Sequence, residues 1–186
     1  PGFVEGTGWQ YAFMVPHDVD ALIDLHGGPE PFLEHVEALF TAERFTVFNE
    51  PDLAYPYLFT YLEEQAHQTQ REVRRALVEH FGDGPDGLEG NDDAGTISAW
   101  YLFNAMGFYP VTPGLAEYRI GSPLFEQVTL HLPHGATFVV DAPGNDEDST
   151  RVGSMTLNGE LLDAPTLPHD AITAGGVLAL EMVPGE

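Results

Sequence analysis

Apolar positions recur every three or four residues between positions 19 and 108 of this chain, and alternate in short runs after position 114. The longer period predicts helices over 19–25, 31–42, 55–65, 69–81 and 97–108. Asp18 stands as an N-cap before the first of these, and His26-Gly27-Gly28-Pro29 stops it. The second carries Phe32, Val36, Leu39 and Phe40 on one face. The third is aromatic-faced, with Tyr57, Leu58, Tyr61 and Leu62, and the fourth is apolar at Val73, Ala76, Leu77 and Phe81 before Gly82-Asp83-Gly84-Pro85 ends it. The fifth, with Trp100, Tyr101, Phe103 and Met106, is apolar nearly all round, which marks a buried helix. Helices joined by short loops imply helix-on-helix packing. Beyond Tyr109-Pro110-Val111-Thr112-Pro113-Gly114, the runs 117–120, 125–132, 137–142, 155–157 and 177–182 lie between Gly, Pro, Asn and Asp clusters and read as antiparallel β-strands. Asn158-Gly159 supplies a hairpin turn, since both residues accept positive φ. The expected fold class is α+β, with a helical region over 1–114 and a β region over 115–186.

Composition narrows the possible partners. At 186 residues the chain forms one large domain or two small ones, and its hydrophobic share of 43% is enough to build a core. The absence of cysteine excludes disulfides and thiolate metal sites. A formal charge of −24, from 30 acidic residues against 6 arginines, argues against nucleic acid and anionic membranes and favours a neutral or cationic partner. Arg71, Arg74 and Arg75 sit at helical spacing and read as a solvated face pairing with Glu63, Glu64 or Glu79. No apolar run approaches the roughly 20 residues of a membrane span. The abrupt start at Pro1-Gly2-Phe3 reads as the middle of a longer protein, so the missing signal peptide says nothing about secretion.

Three stretches carry candidate chemistry. The first is Leu88-Glu89-Gly90-Asn91-Asp92-Asp93-Ala94-Gly95, leading into the buried fifth helix. One Asp there would be an ordinary helix cap. Three polar residues in a row between Gly90 and Gly95 point instead to a site, where vicinal carboxylates offer hard oxygens for calcium or a general base for water. The second is Glu5, the one acid in an aromatic segment over 3–15. Buried among Trp9, Tyr11 and Phe13 it would be held protonated and suited to act as an acid; at a loop end in water it would not. The third is Asn49-Glu50-Pro51, where the following proline keeps Glu50 out of a helix. Glu50 is either a partly buried carboxylate in need of a partner or an exposed turn acid. His26 and His35 do not share a helical face and read as surface or satisfied histidines rather than a metal pair, and the acidic loop 145–149 reads as solvated, since it lacks the spacing of an EF-hand.

Six motifs then occur in a fixed order: Glu5-Gly6-Thr7-Gly8-Trp9-Gln10-Tyr11, Val15-Pro16-His17-Asp18, Asn49-Glu50-Pro51, Gly90-Asn91-Asp92-Asp93 with Ser98-Ala99-Trp100-Tyr101 and Ala105-Met106-Gly107-Phe108-Tyr109-Pro110, Tyr118-Arg119-Ile120-Gly121-Ser122-Pro123-Leu124-Phe125, and Thr156-Leu157-Asn158-Gly159. Over nearly its whole length the chain resembles the bacterial α-mannosidases of glycoside hydrolase family 92, which are much longer. The resemblance implies the last part of an (α/α)6 toroid followed by a C-terminal antiparallel β-sandwich-like region. It also implies calcium-dependent, inverting, exo-acting removal of terminal α-linked mannose, of α-1,2 type, from glycans. On that resemblance Glu5 is the general acid and Asp93 the general base, with Asp92 as the alternative base. Asn49, Glu50 and Asp93 lie at the calcium, and Trp9, Gln10, His17 and Asp18 shape the mannose subsite. The partners implied are a mannose-containing glycan and the rest of the parent polypeptide, in a secreted, periplasmic or cell-surface bacterial setting. Thr7 stands where the family has Asn, and Asn91 where many members have Asp. A different class of function is also open: a carbohydrate-binding or structural piece that is inactive without the remaining toroid helices.

Overall fold

The computed structural model describes residues 2–42 and 44–185. The chain divides into two units, Pro1–Tyr101 and Leu102–Glu186, and the division falls inside one helix.

The first unit contains α1 (Gly8–Tyr11), α2 (Val19–Leu25), α3 (Pro29–Thr41), α4 (Ala66–Glu79) and the start of α5 (Thr96–Met106). Its core is built from Phe32, Val36 and Leu39 of α3, Val73 and Leu77 of α4, Ile97 and Trp100 of α5, and the run Tyr55, Tyr57, Leu58 and Phe59, all buried. That aromatic run is a 3-10 helix over Tyr55–Tyr61, not the α-helix expected over 55–65. Pro56 has no N–H to give to an i→i−4 ladder, and six successive buried residues from Tyr55 to Thr60 let tertiary packing override the helical period. The segment 3–15 is also not the buried aromatic stretch the sequence suggests. Phe3, Val4 and Met14 are exposed, whereas Phe13 and Gln10 are buried, because glycines at 6 and 8 leave only the single turn of α1 to turn side chains inward. The arginines of α4 pair chiefly with buried Glu72, at 3.0 Å from Arg71 and 2.7 Å from Arg75. Glu79, one of the expected partners, stands at 4.0 Å from Arg75.

In the second unit α5 ends at Met106, two residues earlier than expected. Gly107 takes φ +99°, and the next two residues form β1 (Phe108–Tyr109). With β2 (Glu117–Ile120) and β7 (Thr166–Pro168) this strand makes a three-stranded sheet in the order β1-β2-β7. Strand pairing therefore begins before position 114, through Phe108 opposite Ile120, and the change of period does not mark the unit boundary. The second sheet has the order β3-β4-β8-β5-β6, from β3 (Gln127–His131), β4 (Thr137–Asp141), β5 (Arg151–Leu157), β6 (Glu160–Leu161) and β8 (Gly176–Val183). The region is not wholly antiparallel: β8 runs parallel to β4, Phe138 opposite Gly176, because β5 to β7 and a short helix α6 (His169–Ala174) intervene in the chain and bring β8 back in β4's direction. Asn158 and Gly159 form the expected hairpin between β5 and β6, with φ +53° and +87°. Phe108, Ile120 and Leu167 from one sheet and Phe138, Val140, Leu178 and Leu180 from the other bury into one core. Among the described residues no helix is long and apolar enough to cross a membrane.

Candidate functional site

The Glu5 segment is held by short-range polar contacts. Thr7 caps α1 and forms a reciprocal box with Gln10: the Thr7 N–H donates to Gln10 Oε1 at 2.7 Å and the Gln10 N–H to Thr7 Oγ1 at 3.4 Å. The Tyr11 hydroxyl donates to the Val4 carbonyl at 2.8 Å, and its ring stacks on Phe3 at 5.6 Å. Glu5 itself is exposed and sits at φ +60°, a left-handed conformation uncommon for any residue with a side chain. Of the two sequence readings of Glu5, the loop acid in water is the one this chain adopts.

The turn carrying Asn49 reaches that segment directly. Asn49 Oδ1 accepts from the Glu50 N–H at 3.1 Å, starting the 3-10 turn Glu50–Asp52, and Asn49 Nδ2 donates to the Glu5 carbonyl at 2.7 Å. Glu50 is an exposed turn acid. Two residues on, Asp52 is 1% exposed. It accepts from the Thr46 N–H at 3.1 Å, yet burial pushes its carboxyl up to about 7. The Tyr55 hydroxyl donates to the Gln10 carbonyl, and its pKa is raised by burial and then by the neighbouring Asp52.

The loop 88–95 closes on the same turn. Gly90 takes φ +68°, and a Cβ there would lie 2.3 Å from the Phe48 carbonyl oxygen, so only glycine allows this approach. The two aspartates are then used differently. Asp92, itself at φ +58°, accepts from the Ser98 N–H at 2.7 Å and the Ser98 hydroxyl at 2.6 Å, and those bonds hold its carboxyl below its ordinary value. Asp93 is exposed at the head of the 3-10 turn Asp93–Gly95. Trp100 of α5 is tied to the end of the Glu50–Asp52 turn, its indole N–H donating to the Leu53 carbonyl at 2.7 Å.

Three motifs far apart in sequence are thus joined: Glu5 to Asn49 through a side-chain hydrogen bond, and Phe48 to Gly90 by close backbone packing. The other predicted site residues stand apart from these links. Trp9 lies under the Arg44 guanidinium, 3.7 Å from the ring centroid, and keeps 36% of its surface open. Gln10 is buried as the inner half of the capping box, Asp18 caps α2 by accepting from the Ala21 N–H at 3.0 Å, and His17 is exposed. The 145–149 loop is organised on itself, with Asp146 accepting from the N–H groups of Asp148 and Ser149. His26 and His35 meet Nδ1 to Nδ1 at 2.9 Å, so each is satisfied by the other. Glycines at 27 and 28 reverse the chain so quickly that α3 begins beside the end of α2. Burial and then His35 lower the pKa of His26.

The residues missed from sequence are Asp52, Ser98 and Arg44. Asp52 had a signal, a single acid inside Pro51-Asp52-Leu53-Ala54-Tyr55. Ser98 was legible only as a polar residue at the start of a buried helix, and nothing in sequence pairs Arg44 with Trp9.

Residues 1–184 match the family model described as the glycosyl hydrolase family 92 catalytic domain. An uncharacterized secreted glycosidase of Arthroderma benhamiae is 30% identical over 177 residues, covering 94% of this chain and 23% of that protein. Among solved structures, the family GH92 α-mannosidase BT3965 of Bacteroides thetaiotaomicron in complex with mannoimidazole aligns with a TM-score of 0.91 at 33% identity, over 98% of this chain and 26% of its own. The family GH92 inverting mannosidase BT2199 of Bacteroides thetaiotaomicron aligns with a TM-score of 0.88 at 37% identity, over 98% of this chain and 28% of its own. The chain spans about a quarter of the length of these relatives.

Proposed function

The chain belongs to glycosyl hydrolase family 92, and from that premise we propose that it contributes the acid and the base of an α-mannosidase that removes terminal α-linked mannose, of α-1,2 type, from glycans with inversion. The observation that carries the reading is the joining of the Glu5, Asn49 and Gly90 segments, which brings the loops that carry Glu5, Glu50 and Asp93 together and leaves each of these side chains exposed. Inversion is supported by the relative described as an inverting mannosidase. In such a reaction one carboxylic acid protonates the leaving oxygen while a carboxylate on the opposite face of the sugar, roughly 6.5–9.5 Å from it, activates water. Glu5 takes the acid role. Asp93 takes the base role in preference to Asp92, whose two bonds from Ser98 favour the charged form and weaken it as a proton acceptor. A bound sugar and the remaining part of the catalytic domain would exclude water from Glu5, as its acid role requires. Trp9, Gln10, His17 and Asp18 are proposed for the mannose subsite, with the toroid and β-sandwich completed by the parent chain. Export from the cell is proposed from the secreted relative.

Calcium fits the donor chemistry of Glu50 and Asp93, which offer hard carboxylate oxygens. It does not fit their number: among the described residues no group of three acidic or histidine side chains converges, and Asn49 Oδ1 is already engaged by the Glu50 N–H. Calcium is therefore proposed as an ion shared with donors elsewhere in the domain, and no step is routed through it. Calorimetric titration of Asp93→Ala with calcium should show at least about tenfold weaker binding than the unaltered protein, and unchanged affinity would remove Asp93 from the ligand set.

Glu5→Gln should lower kcat on unactivated α-mannosides by about 10²–10⁴-fold while largely sparing substrates with good leaving groups. Equal losses on both substrates would exclude the acid role. The exposure of Glu5 and Trp9 also favours a second reading, in which these residues bind sugar or complete a fold but turn nothing over without the rest of the domain. Turnover by this chain alone would exclude that reading.

A further inference from the structure

Resting on that reading, we propose that Tyr11 and Asn49 are positioning residues for Glu5, each holding one of the two peptide groups that flank its Cα. The carbonyl before Glu5, that of Val4, accepts from the Tyr11 hydroxyl at 2.8 Å. The carbonyl after it, its own, accepts from Asn49 Nδ2 at 2.7 Å. Peptide groups are planar, so the orientations of these two planes fix both soft dihedrals of Glu5. A glutamate at φ +60° persists only where its surroundings over-determine it, and here two hydrogen bonds from different elements do so. Each holder is itself held. The Tyr11 ring stacks on Phe3 with centroids 5.6 Å apart, and Gly6 lies so close that a Cβ would stand 2.8 Å from the ring's Cε2. Asn49 Oδ1 accepts from the Glu50 N–H at 3.1 Å, which leaves the donating end of the amide for Glu5. A flipped amide would set oxygen against the Glu5 carbonyl and N–H against the Glu50 N–H. The Asn49 bond spans 44 residues of sequence, and Phe48, next to Asn49, is the residue that Gly90 of the Asp93 loop packs against. One short segment therefore holds the acid's backbone and supports the loop of the base. The Glu5 side chain is exposed, so its backbone is what aims the carboxyl at a leaving oxygen.

Tyr11→Phe removes only the hydroxyl, and Asn49→Asp keeps an oxygen for the Glu50 N–H while losing the donor to Glu5. In each variant kcat on an α-mannoside with a poor leaving group should fall about 10- to 100-fold, with KM and the kcat for a good leaving group held within about threefold, because a misaimed acid penalises only bond cleavage that needs a proton. In a Glu5→Gln background Tyr11→Phe should cost less than about twofold more, since no acid is left to aim. The Thr7 amide, two residues after Glu5 and bonded to Gln10 Oε1, should exchange with solvent about 3- to 10-fold faster in both variants. Kcat losses of equal size on both substrates, or an undiminished loss in the Glu5→Gln background, would overturn the proposal and make the two residues general supports of the fold. No loss in either variant would overturn it as well. If Asn49→Asp fails to fold, Tyr11→Phe decides alone. If the unaltered protein turns over neither substrate, the glycosidase reading fails, and Thr7 exchange then decides whether these two bonds hold the Glu5 turn: faster exchange upholds it, and unchanged exchange in both variants overturns it.

Discussion

The two units bury different kinds of groups. The strand-rich second unit closes over Phe138, Val140, Leu178 and Leu180, and its described buried polar residues, Asn104, Thr112, Ser122 and Asn145, are all neutral. Among its described residues the first unit buries two carboxylates, Asp52 and Glu72. The backbone shows the same contrast. Among the described residues of the second unit the left-handed residue other than glycine is Asn158, placed in a hairpin turn that calls for Asn. Among those of the first unit the left-handed residues other than glycine are Glu5, Glu64, Asp92 and Ala94, none of which a turn rule would choose ahead of Gly or Asn. Three of those four lie in the candidate site. Among the described residues, the left-handed backbone of the second unit follows a turn rule, and that of the first departs from such rules at the loops that carry Glu5 and Asp93, as expected where strain is retained for chemistry.

The largest contrast should come from deleting matter in the orderly unit. Phe138 is fully buried, and Phe138→Ala removes a ring from the core the two sheets share. The loss should be about 3–5 kcal/mol of unfolding free energy in a denaturant titration. Glu5→Gln, at an exposed loop position, should stay within about 0.5 kcal/mol in the same titration. Comparable losses from the two changes would erase the distinction between a unit built for stability and a segment retained for chemistry.

A smaller effect, with a definite sign, belongs to Asp52. Its carboxyl is raised to about 7 in the folded protein, mainly by burial, against about 3.9 in an unfolded chain. Between those values the folded state keeps a proton that the unfolded state has released, so stability falls as pH rises from about 4 to about 7. The full term is a few kcal/mol at most. Denaturant midpoints measured across that range should decline in the unaltered protein, and the decline should flatten in Asp52→Asn. A slope that survives the substitution would assign the titration to another group.

Periodicity marked α2, α3 and α4, each of which buries one clear face, but not the short α1 and α6, and the turn chemistry of Asn158-Gly159 fixed one hairpin. It failed where packing or distant pairing decides. The run Tyr55–Tyr61 looks α-helical in one dimension, yet burial on all sides and Pro56 make it 3-10. The parallel pairing of β8 with β4 depends on where the chain returns, which no local pattern records. Within the site, the motif order brought Glu5, Asn49, Glu50, Asp92 and Asp93 to notice, but not their division of labour. That Asp92 is occupied by Ser98 while Asp93 is not, and that Asp52 rather than the more conspicuous Glu50 is buried, are facts about side-chain direction over one turn, below what spacing can resolve.

The smallest predicted effect examines strain itself. Ala94 sits at φ +57°, ψ +23°, between Asp93 and Gly95, with an exposed side chain that buries nothing. A left-handed alanine costs about 1–2 kcal/mol, and glycine would relieve that cost while giving back part of it as unfolded-chain entropy. Ala94→Gly should therefore raise stability by about 0.5–1 kcal/mol, or about 1–4 °C in thermal unfolding for a chain of this size. If the strain only reflects imperfect folding, activity should be untouched. If it fixes the direction of the Asp93 carboxylate, the more stable variant should lose turnover, and stability and kcat should move in opposite directions. A variant no more stable than the original would mean that the loop relaxes Ala94 in solution, and the strain contrast between the two units would then rest on Glu5 and Asp92.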